Sequence, residues 1–232
     1  MRPPFAVIVA AVLVVTGCSG GDDHPDDTPE SPQPGPRVDL IQQLLDDARF
    51  SETDIGLAID ISYRRESGLE TATFAYCDDT SDVVDGARTA RSQQWWKNEL
   101  WPHVADGGYT VGVEVVHYEP GGALDTMSAF AAVPDTCPAA DYASGASAVF
   151  AAAEAPAGLP EGAAALDDRW TYPDGSRASG FIVAVPVGDV IGFLYIRGHE
   201  PTVQQRVGEL ARLLATKVAA ADEAIASLDP VT

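Results

Sequence analysis

The chain has 232 residues, of which 46% are hydrophobic and 21% are charged. Its 35 acidic residues outnumber the 14 lysines and arginines, so the formal net charge is -21 at pH 7. A protein this acidic is repelled by nucleic acid and by anionic lipid head groups, and this excludes nucleic acid as an expected partner.

Residues 1–17 have the parts of a bacterial signal peptide. Arg2 supplies a short positive start, and an apolar run extends from Phe5 to Val15. At about 11 residues this run is shorter than the roughly 20 that a membrane-spanning helix needs, but it suits a signal-peptide core. The run ends in a lipobox, formed by Val15, Thr16, Gly17 and Cys18. We therefore expect cleavage before Cys18, and lipidation of Cys18 as the sole anchor to the membrane.

Residues 18–36 are expected to be the lipidated cysteine and an extended tether. Between Ser19 and Pro36 there is no large apolar residue, while proline and acidic residues recur. Such a composition cannot bury a core and stays extended. An alternative is an ordinary secretory signal with Cys18 near the cleavage site by chance. Residues 37–232 remain, and about 195 residues are enough for one extracytoplasmic domain with a sizeable core.

The first half of this domain is predicted to mix helices with strands. Val38 to Phe50 carries an apolar stripe at helical spacing, and a short polar-capped segment, Ser51 to Asp60, follows it. Thr71 to Cys77 alternates like a short strand. The region from Asp82 to Trp101 is predicted to be helical, because acidic residues favour a helix start. Tyr109 to Tyr118 is the clearest strand, since valines alternate with smaller or polar residues along it.

The middle of the domain is less regular. Leu124 to Val133 keeps helical spacing. Residues 139–165 are rich in Ala and Gly, and their pattern favours no single element. A short strand is predicted from Arg169 to Tyr172.

The C-terminal part has the sharpest pattern. Strands from Arg177 to Val187 and from Val190 to Arg197 flank the Gly188-Asp189 turn and should form an antiparallel hairpin. A last helix runs from Pro201 to about Leu228, and its single apolar stripe should lie across the sheet. The order of elements predicts an α+β fold: an antiparallel β-sheet with helices on one side and a long C-terminal helix.

Two cysteines remain once Cys18 is lipidated. Outside the cytoplasm, an even pair such as Cys77 and Cys137 is expected to be oxidised to one disulfide. The bond would close a loop of about 60 residues and stabilise the fold by about 3–4 kcal/mol in the chain-entropy model. Free thiols or a redox role are the alternatives, although the sequence contains no C-x-x-C motif.

No pattern in the sequence carries catalytic or metal chemistry. There is no G-x-S-x-G, S-x-x-K or H-E-x-x-H motif, and no Gly-rich phosphate loop. The histidines are scattered without zinc spacing. The acidic cluster from Asp78 to Asp85 is interpreted as helix capping, because a calcium loop would require a bidentate Glu that does not follow. We therefore expect no enzyme activity, no metal and no cofactor.

One aromatic group is a candidate ligand site. Trp95, Trp96 and Trp101 lie within seven residues, and Tyr109 follows. On one helix, successive residues differ by about 100°, so Trp95 and Trp96 could not both point inward. One of them should line a groove, where a flat ring offers contact area at low entropic cost. The alternative is that all four residues are core or loop-covering.

The domain resembles the PknH-like extracellular sensor domain family of actinobacteria over residues 37 to 228. The matching features are the Leu-rich opening helix at Leu40 to Leu45, Cys77 after a strand, the Trp-rich segment, the strand Tyr109–Tyr118, the helix with Phe130 before Cys137, and the closing strand Val190–Ile196 with its helix. The resemblance implies an α+β fold with a groove thought to bind a small ligand, and no enzyme activity. It supports pairing of Cys77 with Cys137, although members typically carry a second disulfide that this chain lacks. High Ala, Gly, Asp and Arg with little Lys indicates a GC-rich genome, in agreement with an actinobacterial source.

Three functional hypotheses follow. The first is a lipid-anchored sensor or ligand-binding domain on the outer face of the cell membrane, in which Trp95→Ala and Trp96→Ala weaken ligand-induced thermal shifts. The second is a module that docks on a protein or a cell-wall polymer, which an exposed apolar patch would favour. The third is a hydrolase whose site assembles only in space. A deep pocket near the tryptophans would favour the first hypothesis, and a flat patch would favour the second.

Overall fold

The computed structural model describes residues 36–55, 61–73, 85–142 and 144–228. They form one antiparallel sheet in the order β1-β2-β3-β8-β7-β6-β5-β4. The strands are β1 (Ile61–Ser67), β2 (Arg88–Lys97), β3 (Tyr109–Tyr118), β4 (Ala139–Asp141), β5 (Ser147–Ala153), β6 (Ala164–Thr171), β7 (Arg177–Val187) and β8 (Val190–Gly198). The helices are α1 (Pro36–Asp47), α2 (Glu52–Ile55), α3 (Gly122–Thr136) and α4 (Glu200–Ala226). The predicted α+β fold with an antiparallel sheet and a long C-terminal helix is confirmed.

The long helix α4 lies across one face of the sheet, which we call the α4 face. Its apolar stripe is buried there together with residues of α1 and with Val111, Val113 and Val115 of β3. Burial of a whole Val or Leu side chain contributes about 1.5–3 kcal/mol, so this layer is a main source of stability. The predicted stripe is confirmed by the buried residues Val203, Val207, Leu210, Leu214, Val218, Ala221 and Ile225.

The opposite face, which we call the α3 face, carries a second core. Phe130 and Val133 of α3 pack there against the alternate residues of the same strands, among them Val116, Ile182 and Phe193. The expectation that the helices lie on one side of the sheet is therefore wrong. The central strands β7 and β8 carry buried apolar residues on both faces, and each apolar face needs a covering layer.

The predicted helix from Asp82 to Trp101 is also wrong from Arg88 onward, although Asp85 and Gly86 are helical. Arg88 to Lys97 is strand β2, paired with β1 on one side and β3 on the other. Trp95 lies opposite Gly112 and Trp96 opposite Val111, so the two rings project from opposite faces. Pairing on both edges and burial on both faces override the local features that favoured a helix.

Several smaller predictions can also be compared with the structure. Helix α1 is confirmed, although Leu40 on its predicted apolar face is 47% exposed. The unassigned stretch 139–165 contains β4 and β5 and the start of β6. Thr71 to Thr73, the described part of a predicted strand, lies outside the β-strands. The strand Tyr109–Tyr118 and the hairpin of β7 and β8 are confirmed.

Several predicted features fall on residues outside the described ranges. Residues 1–35 lie outside them, and so do the signal peptide, Cys18 and all of the predicted tether except Pro36. Cys77 is another, while Cys137 is described and is disulfide-bonded. The lipid anchor, the division of the chain at residues 17 and 36, and the pairing of Cys77 with Cys137 stay predictions.

Candidate functional site

The register of three strands forms the floor of the candidate site. Val149 of β5 lies opposite Arg169 of β6, and Arg169 lies opposite Ser179 of β7. Thr171 and Arg177 form the next pair on this face, closer to the strand ends. Directly opposite residues of an antiparallel pair point to the same side, so all five side chains project from the α4 face.

The start of α4 and a short turn provide the walls. Gly198 ends β8 opposite Ser179, and the chain enters α4 at His199. Pro201 occupies the first turn of the helix, where its missing N–H costs nothing. The 3₁₀ turn Val104–Asp106 also borders the site. These elements border an open cavity of about 750 Å³, here called the corner pocket and defined by Val149, Arg169, Thr171, Arg177, Ser179 and His199.

Two arginines give the corner pocket its charge. Arg169 donates from Nε and Nη2 to Asp167 Oδ2, at 2.9 and 2.6 Å. The hydrogen bonds that Arg169 donates to Asp167 raise the pKa of the Arg169 guanidinium, and the Glu200 carboxylate adds a smaller effect in the same direction. The Arg169 side chain is nevertheless 73% exposed. Arg177 is exposed too, and it forms no ion pair within the described part of the chain.

The hydroxyl and imidazole groups of the pocket have local structural partners. The Ser176 hydroxyl donates to Asp174 Oδ1 at 2.7 Å within the β6–β7 turn. His199 Nδ1 lies 3.2 Å from Thr202 Oγ1, one turn along its own helix. Among the described residues no hydrogen bond joins His199 to a pocket serine. An activated serine nucleophile needs a base within hydrogen-bond reach of its hydroxyl, and His199 does not supply one to the pocket serines, because it contacts the hydroxyl of Thr202.

Two of the four predicted ligand-binding aromatics belong to the core of the α4 face. Trp96 is 2% exposed and packs near Phe50, with ring centroids 6.3 Å apart. Tyr109 is also buried in this core. Both side chains are therefore closed off from a ligand in the observed conformation.

The other two predicted aromatics lie elsewhere. Trp95 is half-buried on the α3 face, where it stacks on Tyr195 with centroids 5.4 Å apart. A Cβ at Gly112 would lie 2.8 Å from the Trp95 ring, so glycine is needed beneath it. Trp101 packs against Tyr172 in a T-shaped arrangement, with ring centroids 6.4 Å apart. The structure does not bring the four aromatics into one groove, and their role in ligand binding stays a prediction.

A buried polar cluster lies on the α3 face beside Trp95. Glu114, which is fully buried, accepts hydrogen bonds from Arg91 Nε and from the hydroxyl of Thr73 at 2.6 Å. Its other oxygen accepts from Tyr195 at 2.8 Å and from Gln93 at 3.2 Å. Four donors converge on one carboxylate, so the cluster is internally satisfied at Glu114 and holds β2, β3 and β8 together.

The sequence did not predict a site at the pocket residues Arg169, Arg177, Thr171 and Ser179. A signal was present, because both β6 and β7 change from apolar to polar side chains along the same face. In β6 the alternate positions read Ala165, Asp167, Arg169 and Thr171, and in β7 they read Arg177, Ser179, Phe181 and Val183. Recognising that these polar ends are neighbours requires the strand pairing.

The described ranges hold no group of three or more His, Cys, Asp or Glu residues that could bind a metal ion. No described helix is both long enough and apolar enough to cross a membrane.

Comparison with known proteins gives a likeness of fold. No protein-family model matches the chain, and no curated protein matches it by sequence. Among solved structures, the chain is similar to the extracellular domain of PknH from Mycobacterium tuberculosis, with a TM-score of 0.53 and 12% identity. The match covers 77% of this chain and 96% of that one. At this identity the likeness shows a shared fold, and the suspected resemblance is confirmed at that level alone.

Proposed function

We propose that the chain is an extracytoplasmic, non-catalytic domain that binds a small ligand in the corner pocket. The observation that carries the proposal is the cavity of about 750 Å³ on the α4 face, floored by three strands and bordered by the start of α4. Ligand pockets commonly measure roughly 300–1,000 Å³ and are largely preformed by rigid elements. The fold shared with an extracellular domain supports the location outside the cytoplasm.

The proposal also includes the membrane anchor. The lipobox at Cys18 supports cleavage and lipidation there, and the acidic tether supports display of the domain away from the membrane surface. The sequence, which carries no catalytic motif, and the arrangement of His199 in the pocket support binding rather than catalysis. Hydrolysis by a pocket serine would need a base within hydrogen-bond reach of its hydroxyl, whereas His199 contacts the hydroxyl of Thr202 on its own helix.

The binding site is tested by blocking it. Ser179 is half-buried on the pocket floor, so Ser179→Trp should fill the cavity while the sheet still forms. Ser128→Trp, at an exposed position of α3, is a matched control for the added ring. Isotope-labelled full chain in mild detergent is screened with a panel of anionic, neutral and cationic small molecules. We expect NMR shifts centred on Thr171 and Ser179 that vanish in Ser179→Trp and persist in Ser128→Trp.

Shifts centred elsewhere, or no shifts with any panel member at millimolar concentration, would contradict the pocket as the binding site. The anchor is tested separately in cells by Cys18→Ala. We expect the variant protein to fold with an unchanged denaturation midpoint but to leave the membrane fraction, because the acyl chains are its only predicted attachment. A variant that stays with the membrane would overturn the anchor and leave the pocket untouched.

A further inference from the structure

We infer that the corner pocket selects a ligand carrying a carboxylate or phosphate group, held by Arg177 and Arg169. This inference rests on the proposed function and adds the chemical class of the ligand. Guanidinium groups match both anions, since each presents several N–H donors in a fixed plane. The two arginines are diagonal neighbours on adjacent strands. Arg169 lies opposite Ser179, and Arg177 lies opposite Thr171, two positions along the β6–β7 register.

The pocket floor departs from the rest of the α4 face. Further along β6 and β7 this face is apolar, as at Val183 and Val185 of β7 and at Ala165 of β6. At the corner the corresponding side chains are guanidinium and hydroxyl groups, and α4 begins at Glu200 without covering them. A floor rich in hydrogen-bond donors is therefore turned toward a cavity instead of toward a covering helix.

The two arginines have different parts in recognition. Asp167 holds Arg169 by two N–H groups and so fixes its plane. A guanidinium has five N–H donors, and three remain for a ligand. Arg177 has no carboxylate partner among the described residues and contributes the uncompensated charge. We therefore expect Arg177 to govern affinity and Arg169 to govern orientation.

The charge of Glu200 provides a second test of ligand class, because its removal should affect anionic and cationic ligands in opposite directions. Its carboxylate lines the cavity and acts electrostatically on Arg169. It opposes an anion in the pocket but would attract a cation. Removing its charge should tighten the binding of an anionic ligand and weaken the binding of a cationic one, whereas a purely steric pocket would respond to neither.

The cavity is too large for a bare ion, so the anionic group should sit on an organic body. Four probes share one pyranose body and differ in charge: glucose, glucuronate, glucose 6-phosphate and glucosamine. Their dissociation constants are measured by NMR titration of the full chain in mild detergent at low and at moderate salt. Glucuronate or glucose 6-phosphate should bind more tightly than glucose and glucosamine, by roughly tenfold or more, with the preference reduced by salt. The two anionic arms distinguish a carboxylate from a phosphate ligand.

Three variants complete the experiment. Arg177→Gln should weaken binding of the anionic probe about tenfold and leave glucose unaffected. Glu200→Gln should tighten the same binding about two- to fivefold. Arg37→Gln removes the same charge at an exposed position of α1 and should leave the binding of the anionic probe and of glucose unchanged. Denaturation midpoints of all variants establish that they fold.

Three results would overturn the inference: equal pocket binding of glucosamine and the anions, equal weakening of all four probes by Arg177→Gln, or no pocket shifts with any probe. The proposed function survives if other neutral or cationic molecules shift Thr171 and Ser179. It fails together with the inference only when nothing in the wider panel binds there.

Discussion

Two regions of one sheet use arginine in opposite ways. On the α3 face, Arg91 is 1% exposed at its side chain and is bound to the fully buried Glu114. On the α4 face, Arg169 is bound to Asp167 but remains largely exposed at the rim of a cavity. Both are strand residues that pair with a carboxylate, and only their surroundings differ.

The difference separates a structural group from a recognition group. A buried guanidinium must find its counter-charge within the fold, because an uncompensated charge in the interior is strongly destabilising. An exposed guanidinium is solvated, its ion pair adds little to stability, and its remaining donors are available to a ligand. The stability lost when an arginine–carboxylate pair is broken therefore depends on how deeply the pair is buried.

The largest effect is expected from Glu114→Gln. The amide would leave buried Arg91 without its buried counter-charge and with Glu66, which is 30% exposed and 3.7 Å from Arg91 Nη1, as the remaining carboxylate. The free energy of unfolding should fall by about 3–5 kcal/mol. Urea denaturation of the variant and of the wild type measures this difference. A loss below about 1 kcal/mol, the value typical of exposed pairs, would show that Arg91 finds other compensation.

Trp96→Ala should have the next largest effect. Truncating a Trp that is 2% exposed in the α4-face core should cost about 3 kcal/mol. Trp95→Ala should cost less, because Trp95 is only half-buried on the α3 face. Denaturation curves give both values, and titration of the folded variants with a pocket ligand should show unchanged affinity. Reduced affinity in Trp95→Ala alone would return Trp95 to the candidate ligand site.

The sequence predicted elements whose apolar period is simple. Tyr109–Tyr118 alternates cleanly, α4 carries one long stripe, and the Gly188-Asp189 turn marks its hairpin. Strand β2 escaped prediction because its period of two is concealed by the polar residues Arg91, Gln93 and Gln94. These residues are buried only because the neighbouring strands cover or bind them. The acceptor shared by Arg91 and Gln93, Glu114, lies on another strand and cannot be recognised from a local pattern.

The candidate site was harder to predict than the fold. It is formed where β5, β6 and β7 come into register and where α4 begins, so no single segment carries it. The tryptophans attracted attention because they are close in sequence, yet β2 separates Trp95 from Trp96 by the thickness of the sheet. Proximity along the chain indicated a cluster that the strand geometry does not form.

His117 sharpens the comparison because it is neither fully buried nor exposed. Burial lowers the pKa of His117 below its ordinary value of 6.5, while the carboxylates of Asp189 and Asp222 oppose the shift and Arg37 supports it. The folded state thus holds fewer protons than the unfolded state near pH 6, and stability should fall as the pH falls through this range.

The variant His117→Gln should lose less stability than the wild type between pH 7.5 and about pH 5.5, as urea denaturation across this range would show. The pKa of Asp222 is raised by burial, so its own contribution runs the other way and is lost as the pH rises. Since Asp222 is present in both proteins, the difference between them reports mainly on His117. Parallel pH profiles would mean that Thr89, which hydrogen-bonds the imidazole, offsets the effect of burial.

The smallest effect on stability is expected from Asp167→Asn, the same carboxylate-to-amide change as Glu114→Gln. Arg169 is largely exposed, so loss of its partner should leave the urea midpoint unchanged within error. Binding of an anion in the corner pocket should nevertheless respond, since one opposing charge is removed, and affinity should rise about twofold to threefold. Matched denaturation and titration of the two variants measures both quantities. A stability loss in Asp167→Asn comparable with that in Glu114→Gln would erase the distinction between the two arginine regions, because it would make the Arg169 pair structural.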